Sequence, residues 1–175
     1  MGGRYGDEPR AKASIGMRAA FMEIQELFSK DHLVVGVEPT DKWDAIRILL
    51  TQLIERGAVP KEREEELHAA LVERERSMST GMERGLAIPH AAVDGLDGLQ
   101  AVMGTVASEA GLEFQSIDGE PTRVVILLLI PREQKLLHIR TLADIARGLG
   151  REGVLPALLR AENADHAWAA LAGEE

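Results

Sequence analysis

A chain of 175 residues has the length of one domain, enough to close a hydrophobic core, and 45% hydrophobic with 28% charged residues is the composition of a globular protein. The formal charge of −9 argues against nucleic acid, whose phosphates are held mostly by Lys and Arg, and fits a basic protein partner better. The absence of cysteine excludes disulfides, thiolate zinc sites and a cysteine nucleophile, so any covalent chemistry must use another side chain.

In chain order, residues 1–18 read as a flexible N-terminal tail, because Gly2, Gly3, Gly6 and Pro9 punctuate a polar segment without apolar period. The segment also lacks the apolar stretch of a secretory signal, which predicts a cytoplasmic protein. From 19–175 the expectation is a single domain. Phe21, Ile24, Leu27 and Phe28 recur at helical spacing, and Leu33 to Val37 is a short β-rich run. Asp41 caps a helix whose apolar face is Trp43, Ile46, Leu49, Leu50, Leu53 and Ile54, and Gly57 with Pro60 ends it. A third helix, Glu62 to Arg74, buries Leu67, Ala70 and Leu71 and turns a dense charged face to solvent.

Short elements follow at Ser77 to His90, Leu99 to Ala107, Leu112 to Phe114 and Val124 to Ile130. The last is apolar on both faces, as a central strand covered by helices on each side must be. It is flanked by Arg123 and Arg132 and falls far short of the roughly 18 apolar residues of a membrane span, so no membrane insertion is expected. Leu136 to Leu149 is helical, with Ile139, Leu142, Ile145 and Ala146 as its buried face, and two short helices close the chain. The fold class is therefore α/β, a small mixed β-sheet sandwiched between helices on both faces.

Five histidines are the candidates for chemistry, since imidazole serves as base and nucleophile near neutral pH. His32, His68 and His166 sit among charged or helix-terminal residues and read as surface or half-buried positions without a chemical role. His90 ends the apolar run Gly85-Leu86-Ala87-Ile88-Pro89-His90, where Pro89 fixes the chain direction and places the imidazole at a strand end, the usual address of sites in α/β sheets. On local grounds alone a functional and a structural His90 stay equally open. His138 opens the helix that follows the last strand, within reach of His90, although a solvated or capping role is the simpler reading of that residue by itself.

Three blocks, in order, resemble the enzyme IIA domains of the fructose and mannitol class of the bacterial phosphoenolpyruvate-dependent sugar phosphotransferase system, together with their nitrogen-regulatory relatives. Arg74-Glu75-Arg76-Ser77-Met78-Ser79-Thr80-Gly81 is similar to that family's Arg-Glu segment with a Ser-Thr-Gly turn. Gly85-Leu86-Ala87-Ile88-Pro89-His90 resembles its Gly-Ile-Ala-Ile-Pro-His signature, and His138-Ile139-Arg140-Thr141-Leu142-Ala143-Asp144-Ile145-Ala146 its His-Leu-x-x-Leu-Ala-x-Leu-Ala helix. Asp118-Gly119-Glu120-Pro121 is similar to its Asp-Gly-x-Pro turn.

The resemblance implies a phosphotransferase component in which Nε2 of His90 carries the phosphoryl group, with Arg74 and His138 as neighbours and neither cofactor nor metal. Arg74 would offer a charged fork to the phosphate oxygens, and Thr80 a hydroxyl or backbone N–H. His138 would donate to the phosphate or steady the incoming partner. The donor would be the small histidine phosphocarrier protein, HPr, or its nitrogen-branch counterpart, and the acceptor a cysteine of a separate IIB protein in sugar uptake. An apolar surface of Leu86, Ala91 and Val93 would dock these partners. Two other readings stand beside it: a regulatory module that binds transporters or kinases according to its phosphorylation, and a metal-dependent hydrolase using His90, His138 and Asp94.

Overall fold

The computed structural model describes residues 23–173. The expected tail at 1–18 and Phe21 lie outside the described residues. The elements are α1 (Ile24–Leu27), β1 (Leu33–Val37), α2 (Lys42–Glu55), α3 (Glu64–Ser77), β2 (Leu86–Ala87), β3 (His90–Val93), β4 (Gln100–Val106), β5 (Val124–Pro131), α4 (Lys135–Gly150), α5 (Val154–Arg160) and α6 (Ala164–Ala172).

The five strands form one mixed sheet in which β5 is the hub. It pairs antiparallel with β4, whose other edge takes β1 in parallel, and on its far side it pairs in parallel with β2 and then β3. Side chains of β5 alternate between two cores. Ile126, Leu128 and Ile130 pack under α1, α4, α5 and α6, while Val125, Leu127 and Leu129 pack under α2 and α3. From Val124 to Ile130 no residue is more than 1% exposed. Each such Val, Leu or Ile contributes about 1.5–3 kcal/mol by leaving water, so this strand is the largest single block of the core.

Local sequence explains most of the boundaries. The Asp41 carboxylate accepts the Asp44 N–H at 2.8 Å and starts α2. Gly57, at φ 73°, takes the left-handed turn beyond that helix. Pro60 precedes a short 3₁₀ turn over Lys61–Arg63, so α3 begins at Glu64 rather than Glu62, and it runs on to Ser77. Asn163 caps α6 by accepting the His166 N–H at 2.9 Å.

Three expectations are corrected. The segment from Leu112 to Phe114 forms no strand; Leu112 makes one isolated bridge to Thr122, and Phe114 is buried as a packing residue. The buried face of α4 is Thr141, Asp144, Ile145 and Leu149, whereas Ile139 is 68% exposed and Ala146 is also exposed. The apolar period was real, but the first turn of α4 reaches past the core, so its apolar side chains stand in solvent. The charged face of α3 is not wholly solvated either: Glu75 is 2% exposed. Among the described residues, no helix is long and apolar enough to cross a membrane.

Candidate functional site

His90 begins a strand instead of ending one. Leu86 and Ala87 of β2 stand opposite Val124 and Val125, and His90 to Val93 of β3 stand opposite Leu128 to Pro131, so β2 and β3 follow β5 in one unbroken register. The ladder lapses at Ile88 and Pro89 because proline has no N–H to give. Pro89 still accepts the Leu128 N–H at 3.0 Å, and the Ile88 N–H turns away to the Thr80 carbonyl at 3.1 Å. The Ile88 carbonyl is thereby left for the imidazole two residues on, and His90 Nδ1 lies 2.7 Å from it.

A carbonyl only accepts, so Nδ1 carries the proton of that bond. In the neutral ring Nε2 then keeps its lone pair. Burial pushes the His90 pKa below the ordinary imidazole value, helped by the Arg74 and His138 charges and opposed by the Ile88 carbonyl and Glu75. The ring is thus held neutral, with the tautomer a nucleophile requires. His90 is only 5% exposed, yet it is not sealed in hydrocarbon. It lines an open cavity of about 550 Å³ that it shares with Arg74, Thr80, Gln115, Ile117 and others.

The sequence-derived candidates do converge, though not in identical roles. His138, in the first turn of α4, stacks edge-on against His90. Its own pKa is lowered by burial and then by Arg74. Arg74 stands in the last turn of α3, where its Nη1 donates to the Met78 carbonyl at 2.9 Å. Arg74 lines the same cavity as His90, and its charge acts on both rings. Thr80 borders the cavity, but its donors are already engaged: its N–H points to Glu75 Oε1 and Oε2 at 3.2 and 3.1 Å, and its hydroxyl donates to Oε2 at 2.5 Å. It holds the turn, and the expected hydroxyl or N–H for a phosphate is not on offer in this conformation.

Glu75 is the residue the sequence reading passed over. Lys42 Nζ reaches its Oε1 at 3.2 Å, giving an ion pair beneath the Thr80 turn. The available signal was positional: Leu67, Leu71 and Glu75 follow one another at intervals of four, which puts a carboxylate on the buried stripe of α3.

The docking surface also needs correction. Leu86, Ala91 and Val93 are each no more than 5% exposed and belong to the two cores. Among the described residues, the large apolar groups that face solvent are Met78, Ile117, Leu136 and Ile139, of which Met78 and Ile117 rim the His90 cavity. Asp94 is no part of the site, since its carboxylate pairs with Arg132 at 3.1 Å on the exposed surface. Among the described residues, no group of three or more His, Asp or Glu side chains is arranged to hold a metal ion. His68 meets Arg47 on the face of α3, and His32 sits in a 3₁₀ turn before β1, both away from His90.

A mixed five-stranded sheet with helices on both faces is the fold of the enzyme IIA class. The family described as Phosphoenolpyruvate-dependent sugar phosphotransferase system, EIIA 2, matches residues 26–173, and the chain belongs to that phosphocarrier family. It is 32% identical over 125 residues to the fructose-specific EIIA component of Haloferax volcanii, covering 71% of this chain and 79% of that protein. It is 26% identical over 147 residues to the nitrogen regulatory protein homolog of Haemophilus influenzae, covering 84% of this chain and 89% of that one. Against the fructose-specific EIIABC component of Bacillus subtilis, 28% identity extends over 82% of this chain but only 22% of the longer protein.

Solved structures that share the fold include the following two. Nitrogen regulatory protein IIA-Ntr from Neisseria meningitidis superposes with a TM-score of 0.73 at 22% identity, over 83% of this chain and 97% of the other. The mannitol IIA enzyme of Escherichia coli, in complex with phosphorylated mannitol IIB, gives 0.69 at 23% identity, over 84% and 98%.

Proposed function

We propose that this protein is a cytoplasmic phosphocarrier in which His90 Nε2 takes a phosphoryl group from a histidine phosphocarrier protein of the HPr type and passes it to a separate IIB protein in sugar uptake. The observation that carries the reading is the 2.7 Å contact of His90 Nδ1 with the Ile88 carbonyl. It fixes the one tautomer that can attack.

In the accepting step the Nε2 lone pair forms the new N–P bond as the donor's N–P bond breaks and its electron pair returns to the donor ring. The proton on Nδ1 stays in place, still held by the Ile88 carbonyl, so His90 becomes an Nε2-phosphoimidazolium, its ring positive and its phosphoryl group dianionic, without a separate proton transfer. Negative charge on the phosphoryl oxygens is met by the Arg74 guanidinium at the cavity wall, and the catalytic work is positioning and electrostatic stabilisation. His138 stands beside the ring to donate to the phosphate or steady the partner. Onward transfer reverses the sequence towards a nucleophile on the IIB partner. Support for such a partner comes from the Escherichia coli mannitol pair, in which IIA and phosphorylated IIB form a complex.

A second reading, a phosphorylation-dependent regulator of transporters or kinases, is supported by the likeness to the Haemophilus influenzae nitrogen regulatory homolog along most of both chains. It uses the same phosphohistidine and differs in what reads it.

The test is to incubate the protein with phosphoenolpyruvate, enzyme I and HPr. The expected product is one acid-labile, base-stable phosphate that His90→Ala abolishes. A folded wild-type protein that takes no phosphate, or keeps it in His90→Ala, overturns the assignment.

A further inference from the structure

The buried pair of Lys42 with Glu75 has no part in the transfer as described, and burial makes it costly. The Glu75 side chain is 0% exposed and that of Lys42 14%. Such pairs are poor stabilisers, because desolvation offsets the attraction and apolar replacements of similar volume often fold as well or better. The hydrogen bonds around Glu75 point to a different use.

Apart from the Lys42 bond, they form a path from the active imidazole to the carboxylate, each group donating to the next. Thr80 gives both its N–H and its hydroxyl to the carboxylate. The Thr80 carbonyl accepts the Ile88 N–H at 3.1 Å, and the Ile88 carbonyl accepts His90 Nδ1 at 2.7 Å. Two residues thus separate the carboxylate from the ring. The same turn presents the Met78 carbonyl, which holds Arg74 Nη1 at 2.9 Å. Both groups that must converge on a phosphoryl group are attached to one turn, and Glu75 ties that turn to α3 from below. A carboxylate suits the task because it accepts from Lys42 and from both Thr80 donors together, whereas leucine there would leave both Thr80 donors buried without an acceptor.

We infer that Glu75 is a positioning residue: through the Thr80–Ile88 relay its buried carboxylate holds His90 in the Nδ1-protonated tautomer, and through the Met78 turn it sets the Arg74 fork. The consequence for transfer rests on the phosphocarrier reading above; the consequence for the tautomer does not.

Two double variants separate this role from simple stability. Lys42→Met with Glu75→Gln removes both charges and keeps an acceptor for Thr80. Lys42→Met with Glu75→Leu removes the acceptor as well. Circular dichroism reports folding, nitrogen-15 spectra of the imidazoles report the His90 tautomer, and phosphorylation by HPr is followed as kcat and KM. The Met/Gln protein is expected to keep a single Nδ1–H tautomer. The Met/Leu protein should fold, show a tautomer mixture, and lose up to about 100-fold in kcat with KM for HPr unmoved, the scale of a reacting group displaced by about 1 Å.

A folded Met/Leu protein with the wild-type tautomer and kcat overturns the inference. If that protein does not fold, Thr80→Val, which deletes only the hydroxyl link, decides it on the same readouts. Should the wild type accept no phosphate, the carrier reading fails, and the tautomer comparison alone judges the relay.

Discussion

The imidazoles of His90 and His138 meet edge to face, with centroids 4.8 Å apart and planes inclined at 72°. One ring comes from the start of β3 and the other from the first turn of α4, so the contact joins the sheet edge to the helix that covers it. Burial disfavours a proton on either ring, and the Arg74 charge adds to this at both. A proton on His138 further discourages one on His90, which keeps the accepting ring neutral.

His138→Ala is accordingly expected to accept phosphate from HPr but to pass it on slowly, by about 10²-fold or more, the usual scale of a lost donor in proton or hydrogen-bond catalysis. Single-turnover transfer from the phosphorylated variant to a IIB acceptor measures this. Wild-type onward transfer would place His138 outside the reaction.

Arg74→Lys should be a severe change despite the retained charge, because an ammonium cannot hold the Met78 carbonyl and present a planar fork at the same time. Loss of an oriented donor to a developing oxyanion costs about 10²–10³-fold, and kcat for phosphorylation should fall on that scale. Arg74→Ala should in addition raise the His90 pKa, since the cation that opposes its protonation is gone. An NMR titration of His90 reads the sign directly.

The pH dependence follows from the same shift. His90 is held below the ordinary imidazole value of about 6.5, so phosphorylation should stay level as pH falls towards 6.5 and decline only beyond it. For stability, the unfolded ring binds its proton first. The stabilising contribution is therefore complete above about 6.5 and is lost as pH drops through the folded pKa. His32, His68 and His138 are shifted in the same direction and add to the effect. Urea midpoints should fall on acidification in this window, and less steeply for His90→Ala.

Gly81→Ala tests how closely the Thr80 turn is packed. A Cβ at position 81 would lie 2.7 Å from the Phe114 carbonyl oxygen and 2.9 Å from Ser116 Cα, both backbone atoms that cannot swing aside. Destabilisation of about 1–3 kcal/mol is expected, the range of overpacked sites, with a matching fall in the urea midpoint. Because this turn also carries the Met78 and Thr80 carbonyls, phosphorylation should weaken with it.

Ile139→Asp addresses docking. The side chain is 68% exposed next to His138 and contributes nothing to the core, so stability should be unchanged. An acidic group on this exposed apolar face of α4, beside His138, should raise KM for HPr while leaving kcat within about twofold, as expected for a contact made equally in the bound and transition states. Steady-state phosphorylation distinguishes the two parameters.

Much of this molecule could be read from its residues. The apolar run of β5 announced a strand covered on both sides and Asp41 announced its helix, whereas the proline before His90, read as a strand end, falls between two strands that share one register. What could not be read depended on contacts between distant segments. A glutamate in the run Arg74-Glu75-Arg76 looks like one more solvated charge until Thr80 and Lys42 are folded against it. Thr80 looks like a free hydroxyl for the same reason. Leu86, Ala91 and Val93 flank His90 in sequence and so look like surface, but at the β2–β3 edge they face into the two cores. The cavity is rimmed instead by Met78, just past α3, and by Ile117 in the loop after Phe114.

The shared register of β2 and β3 along β5 also makes the position of His90 a matter of parity. Neighbouring residues on a strand face opposite ways, so one residue added or removed between Ala87 and His90 reverses which side of the sheet the imidazole meets. The strands themselves would still find partners. A length change too small to notice in an alignment would thus leave a well-folded carrier whose histidine lies under the α2–α3 layer, with nothing to carry.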